Sequence, residues 1–203
     1  MIYLVGDSHV QSFNDSYVKL WLTAPTAYQN IKKISQIDSF LLSNPINKNS
    51  DYIFFSFGEI DARCHLGFVA DNNNRTYEDV VIECVDRYCL FLDHFINSGY
   101  KVGVWGPIPS GSNNSIQGNG AMSYKTKNER NIITQLFNDK LEEMSKIKNF
   151  EFKTLFHFIV SDMNNYDNYY SIDNIHLNSG MFKTKSNEVN IDEMINSKFK
   201  DLL

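Results

Sequence analysis

Residues Ile2-Tyr3-Leu4-Val5-Gly6-Asp7-Ser8-His9 form a short apolar run that ends at a glycine and continues directly into polar side chains. An apolar run of this length, bounded by a turn residue, predicts a strand buried inside a parallel sheet. The pattern recurs at Tyr52-Ile53-Phe54-Phe55, with Gly58 just beyond it, and at Lys101–Trp105, which Gly106 follows. These segments predict the centre of one sheet.

Segments with apolar residues at helical spacing alternate with these strands. Thr76 and Asp79 form a predicted capping box that begins a long helix, and Gly99 is the predicted stop. The region from Gly58 to Asn74 is predicted as a polar loop. Strands alternating with helices indicate a parallel sheet covered by helices on both faces. The other predicted elements are strands at Lys19–Thr23 and Phe150–Phe156 and helices at Ile31–Leu42, Lys125–Lys148 (buried stripe Ile133, Leu136, Phe137, Met144 and Ile147) and Ile191–Leu203.

Composition excludes several classes of protein. The chain has 203 residues, 19 basic and 24 acidic side chains and a formal net charge of −5, with 42% apolar residues. That length and balance predict one globular domain over residues 1–203, rather than a disordered or fibrous protein. No apolar run approaches the roughly 20 residues of a membrane-spanning helix. Without a compensating stripe of Lys and Arg, the acidic balance argues against nucleic acid as a partner, and neither nucleic acid nor membrane is a predicted partner.

The cysteines and the N-terminal residues bear on the cellular compartment. Cys64, Cys84 and Cys89 are an odd number without the spacing of a disulfide framework, which favours structural thiols in a reducing environment. The first residues lack the basic region of a signal peptide. The sequence therefore predicts a cytoplasmic protein.

Three polar clusters follow predicted strands or the last predicted loop, at 7–9, 58–65 and 173–176. Ligands of such folds sit at the carboxyl ends of the strands, so these clusters are expected to meet at one edge of the sheet. They contain a serine in a tight glycine-containing turn, a histidine and a carboxylate, which are the parts of a nucleophilic triad. Serine is a poor nucleophile until a histidine takes its proton, and the carboxylate orients that histidine.

These blocks resemble the SGNH (GDSL-type) hydrolases. Gly6-Asp7-Ser8 matches the first family block, Gly58-Glu59-Ile60-Asp61 occupies the place of the third, and Asp173-Asn174-Ile175-His176 matches the last. The resemblance implies a three-layer α/β/α sandwich, flavodoxin-like, with a central parallel sheet of about five strands. It also implies that Ser8 is the nucleophile, His176 the base and Asp173 its partner, in ester hydrolysis that needs no metal and no other cofactor.

Two departures from the family pattern concern the oxyanion hole. The family's second block supplies a glycine N–H, but the sequence has no glycine between Gly6 and Gly58. The predicted donors are therefore the backbone N–H groups of Ser8 and Ala24, since the donor is backbone and only tight geometry demands glycine. The asparagine of the third block is replaced by Ile60, which cannot donate. Losing such a donor costs roughly 3 kcal/mol of transition-state stabilisation, and Arg63 is the best candidate to replace it.

The variant Gly-Glu-Ile-Asp-x-Arg-x-His resembles a subgroup of glycan-associated SGNH proteins. That resemblance implies that Glu59, Arg63 and His65 line a substrate pocket and bind a sugar or an anionic group on it. His9, beside the nucleophile, is predicted as a substrate-binding wall residue of the site rather than the base. A structural role competes with this interpretation, because Glu59, Asp61 and Arg63 also have the composition of an ion-pair cluster that stabilises a loop. Ser8 has a competing role too, since serine is favoured at a helix N-cap.

The predicted function is that of a serine esterase that removes an acyl group, with acetyl favoured, from a carbohydrate or another small polar ester. An O-acyltransferase that uses the same triad is one alternative, because its first half-reaction is identical. A non-catalytic glycan-binding module on this fold is the other, and the missing glycine and asparagine motivate it.

Overall fold

The computed structural model describes residues 1–23, 25–111, 123–161, 176–177, 181–183 and 188–202. Within these ranges, five parallel strands form one sheet in the order β2-β1-β3-β4-β5. The predicted α/β fold, with a flavodoxin-like strand order, is confirmed. The strands are β1 (Ile2–Gly6), β2 (Val18–Trp21), β3 (Tyr52–Ser56), β4 (Lys101–Trp105) and β5 (Glu151–Lys153).

Helices connect the strands and cover both faces of the sheet. A separate antiparallel pair, β6 (Met181–Lys183) and β7 (Glu188–Asn190), precedes the last helix. The α-helices are α1 (Ile34–Ser43), α2 (Leu66–Asn72), α3 (Tyr77–Asn97), α4 (Lys127–Lys148), α5 (Phe156–Ser161) and α6 (Ile191–Phe199). Short 3₁₀ turns lie at Ser8–Ser12, Asn30–Lys33 and Lys200–Leu202, and a π-helical turn lies at Asp61–His65.

Alternate residues of the central strands enter two different hydrophobic cores. Val5 and Phe55 pack with side chains from α1, α3 and α4 on one face of the sheet. Leu4 and Phe54 pack on the other face with side chains from α5 and α6. Successive side chains of a strand point to opposite faces, so a strand buried on both faces reads as a continuous apolar run. The two cores make the three layers of the sandwich.

The long helix α3 begins and ends where the sequence predicts. Thr76 accepts a hydrogen bond from Asp79 N, and the Asp79 side chain accepts one from Thr76 N, so the capping box is formed. Gly99 has φ of +82°, a conformation that suits glycine just after a helix. The predicted buried face of this helix is confirmed at Val81, Cys84, Val85, Tyr88, Leu92 and Phe95.

Two sequence predictions in this region of the fold are wrong. The segment after Gly58 is helical from residue 59 to Asn72, not a polar loop. Its buried Ala62, Leu66 and Ala70 recur every four residues, a helical period that the charged residues between them conceal. Ile147, predicted in the buried stripe of α4, is 67% exposed, because it lies off the helix face that Arg130, Ile133, Thr134, Phe137, Asn138 and Leu141 bury.

In the described part of the chain, no helix is long and apolar enough to cross a membrane.

Candidate active site

Strand β1 carries Ser8 to the carboxyl edge of the sheet. The strand is fully buried between β2 and β3, and the chain turns at Asp7 into the 3₁₀ helix that begins with Ser8. Gly6 is required at this turn, because a Cβ there would lie 2.4 Å from the carbonyl oxygen of Ser56 on β3. Asp7 caps the turn by accepting a hydrogen bond from His9 N at 2.9 Å. The nucleophile candidate therefore sits on a tightly packed turn.

The structure brings His176 to Ser8 from 168 residues away in sequence. Nε2 of His176 lies 2.6 Å from Oγ of Ser8, within hydrogen-bond distance, and both side chains are half-buried. Leu177, the next residue, is buried in the core between the sheet and α6 and so anchors the histidine. This is the contact that a general base makes with a serine nucleophile.

The other two predicted members of the catalytic machinery lie outside the described residues. Asp173, the predicted partner of His176, and Ala24, the predicted oxyanion donor, both stay predictions. The neighbouring Ala27 and Tyr28 are described, and they fix the turn that follows residue 24.

His9 lies beside the imidazole of His176 and not merely on the wall of a pocket. The two ring centroids are 4.8 Å apart. Nδ1 of His9 lies 2.9 Å from Oδ1 of Asp7, the same oxygen that caps the turn, and both residues are buried. A carboxylate–imidazole pair, Asp7 and His9, therefore packs against the imidazole of His176. The sequence placed His9 near the nucleophile but gave no sign of its bond to Asp7.

Glu59 and Arg63 form a buried ion pair behind the site. Nε and Nη2 of Arg63 contact the two carboxylate oxygens of Glu59 at 2.5 and 3.1 Å, and the side chains are only 2% and 6% exposed for Arg63 and Glu59 respectively. The residues are four apart on the helical segment after β3, which aligns them on one face. Their side-chain hydrogen bonds join the two residues to each other, and substrate binding by Glu59 and Arg63, and the oxyanion role of Arg63, stay predictions.

Asp61 joins the segment after β3 to the turn after β2. Its carboxylate accepts hydrogen bonds from Ala27 N at 2.6 Å and from Tyr28 N at 3.3 Å. Burial raises the pKa of Asp61 to about 6, although the two backbone N–H groups act in the opposite direction. The sequence analysis allowed Asp61 a loop-stabilising role in an ion-pair cluster, but it missed these backbone partners, and the only available signal was the position of Asp61 three residues after Gly58.

His65 is exposed and lines a cleft of about 440 Å³ beside the Asp61 turn. This exposed position distinguishes His65 from Glu59 and Arg63, whose side chains are buried. Substrate binding by His65 stays a prediction. Its side chain is exposed to solvent.

Comparison with known proteins finds similarity at the level of the fold alone. No protein-family model matches the sequence, and no curated protein does. An aryl esterase of Mycobacterium smegmatis superposes with a TM-score of 0.57 at 13% identity, covering 100% of this chain and 99% of that one. The chain has the fold of GDSL esterases and lipases. A GDSL-like lipase of Bacteroides thetaiotaomicron gives 0.58 at 13% identity (98% and 85% covered), and an acetyl xylan esterase gives 0.54 at 14% identity (88% and 92% covered).

Proposed function

We propose that this chain is a serine esterase of the SGNH type, with Ser8 as nucleophile and His176 as general base. The observation that carries the proposal is the distance of 2.6 Å between Oγ of Ser8 and Nε2 of His176. The likeness of the fold to that of an aryl esterase and a GDSL-like lipase supports it.

The reaction proceeds in two halves. Oγ of Ser8 attacks the ester carbonyl carbon while Nε2 of His176 takes the hydroxyl proton, and the same proton then passes to the leaving alcohol. In the second half, His176 removes a proton from water, whose oxygen attacks the acyl carbon; the bond to Oγ of Ser8 then breaks, His176 returns the proton to Oγ, and the carboxylic acid is released. Asp173 orients the imidazole, and the N–H groups of Ser8 and Ala24 hold the oxyanion in this proposal.

The proposed substrate is an acetyl ester on a carbohydrate. An acetyl xylan esterase with the same fold supports this class.

Turnover of p-nitrophenyl acetate tests the reaction. Ser8→Ala should lower kcat/KM by at least roughly a hundredfold, because the acyl-enzyme cannot form. The matched control is Ser39→Ala, which removes an exposed hydroxyl on α1 and should leave the rate unchanged. Equal rates for wild type and Ser8→Ala would refute the proposal.

Labelling by a fluorophosphonate probe tests activation of the nucleophile without knowledge of the substrate. Wild type and Ser39→Ala should be labelled, whereas Ser8→Ala and His176→Ala should not. A wild-type protein that resists the probe would favour a non-catalytic glycan-binding module. If the probe reacts and a sugar acceptor outcompetes water in product analysis, the chain is an acyltransferase.

A further inference from the structure

A cleft of about 440 Å³ lies between the segments that follow β2 and β3 and helix α3, and its lining takes no part in the reaction just described. We call it the side cleft. It is bounded by Tyr28 and Gln29 from the turn after β2, by His65 and Phe68 from the helical segment after β3, and by Glu83 on α3. Its volume lies in the range of ordinary ligand sites.

The topology of the sheet places the side cleft at the edge that carries Ser8. Strand β1, which ends at Ser8, lies between β2 and β3. Two walls of the cleft follow the carboxyl ends of β2 and β3, so they flank the nucleophile's strand at the same edge. Asp61 ties these two walls together through its hydrogen bonds to Ala27 N and Tyr28 N.

The charges that line the side cleft are already paired within the protein. Nη1 of Arg75 lies 2.6 Å from one carboxylate oxygen of Glu83, and the Tyr28 hydroxyl donates to the other at 2.9 Å. The carboxylate of Asp61 is occupied by backbone donors. An anionic ligand would need a free cation here, and a cationic ligand a free carboxylate, so the lining favours an uncharged ligand.

The remaining lining combines an aromatic ring with uncharged polar side chains. Phe68 is 51% exposed, and its ring packs edge-to-face with Tyr124 at a centroid distance of 5.6 Å, which holds it in place. Gln29, His65 and Asn73 are exposed and offer amide and imidazole groups. Nδ2 of Asn73 already donates to the Val69 carbonyl oxygen and Oε1 of Gln29 accepts from Lys32 Nζ, but a fully apolar ligand would still remove water from the remaining donors and acceptors of these side chains. A sugar ring presents both an apolar C–H face and hydroxyl groups, and so satisfies both parts of the lining.

We propose that the side cleft binds a sugar ring of an uncharged oligosaccharide, with Phe68 as the stacking surface, and thereby presents the ester on that oligosaccharide to Ser8. The presentation of the ester to Ser8 rests on the proposed esterase function, whereas the binding of the sugar ring does not. The binding half can be tested without any turnover.

Binding is measured on the Ser8→Ala protein by calorimetric titration with tetrasaccharides of xylose, glucose, mannose and N-acetylglucosamine. At least one should bind, and adding Phe68→Ala should weaken that binding roughly tenfold, because the stacking surface is lost. Phe68→Tyr should restore it. The control is Leu90→Ala, which truncates another exposed apolar side chain, 62% exposed on α3, and should leave binding unchanged.

Turnover is then compared between the acetylated form of the best tetrasaccharide and p-nitrophenyl acetate. In an otherwise wild-type protein, Phe68→Ala should raise KM for the acetylated tetrasaccharide roughly tenfold more than for p-nitrophenyl acetate. Binding that depends on Phe68 in a protein without esterase activity would support the side cleft and refute the proposed reaction. Esterase activity with no Phe68-dependent binding of any of the four tetrasaccharides would overturn the side cleft and leave the reaction standing.

Discussion

The buried ion pair between Glu59 and Arg63 should contribute far more to the free energy of unfolding than an ion pair on the protein surface does. We consider Glu59→Gln, which removes the carboxylate charge but keeps the side-chain volume. Arg63 is 2% exposed, and two of its guanidinium nitrogens contact Glu59. Its third nitrogen, Nη1, has no hydrogen-bond partner among the described residues. Removing one partner of a buried pair leaves an uncompensated charge, and the expected loss of unfolding free energy is about 3–5 kcal/mol.

Urea unfolding followed by circular dichroism measures that loss as a shift of the midpoint at constant slope. The matched control is Glu142→Gln on α4, where Glu142 and Lys146 form a pair with the same four-residue spacing but with side chains 53% and 72% exposed. That substitution should cost less than about 1 kcal/mol. A double-mutant cycle with Arg63→Met should give a coupling energy of about 2–3 kcal/mol, because the second substitution removes the stranded charge. If Glu59→Gln costs no more than the control, the structural role is wrong and Arg63 is available for substrate or oxyanion binding.

Three further predictions concern the surroundings of the site. The folded-state pKa of Asp61, raised to about 6 from 3.8, means that the native state holds this proton more tightly than the unfolded chain. The free energy of unfolding of the wild type should therefore fall by about 3 kcal/mol relative to that of Asp61→Asn as pH rises from 4 to 6. Urea unfolding of both proteins across this range measures the change, and a difference in midpoints that does not vary with pH would contradict the prediction. Gly58→Ala should destabilise by about 2–4 kcal/mol in thermal unfolding, because φ is +112° and the new Cβ would lie 2.5 Å from the Phe137 ring; a change within experimental error would show that the turn can rearrange. His9→Leu should lower kcat on p-nitrophenyl acetate roughly tenfold or more, since the ring that packs against His176 and binds Asp7 is lost; an unchanged kcat with a folded variant would assign His9 a purely structural role.

Much of the architecture could be predicted from the sequence because its signals are local. Apolar runs such as Ile2–Val5 and Tyr52–Phe55 mark strands buried on both faces, and the Thr76–Asp79 box and Gly99 mark the ends of α3. The order of strands and helices then limits the topology to a few possibilities. The short motifs at residues 6–8 and 173–176 were also local, so Ser8 and His176 could be named as candidates from sequence.

The segment from Glu59 to Asn72 shows where local signals fail. Its charged residues suggested a solvated loop, whereas the structure buries Glu59, Asp61 and Arg63 in a helix. A buried charge is tolerated only when it is paired, and its partners here are a side chain four residues away and backbone groups more than thirty residues away. The expected ion-pair cluster is confirmed for Glu59 and Arg63, but sequence pattern records the polarity of each residue and not its partner, so it showed neither their burial nor the bonds of Asp61 to the turn after β2.

The sequence by itself determined the order of the elements, the sheet at their centre and the residue types that meet at its carboxyl edge. Tertiary structure decided which distant residues touch: Ser8 with His176, and Asp61 with the backbone of Ala27 and Tyr28. The reason is that strand and helix formation depend on neighbours along the chain. A hydrogen bond across 168 residues depends instead on how the layers pack, and the side cleft exists only once the walls after β2 and β3 have been joined through Asp61.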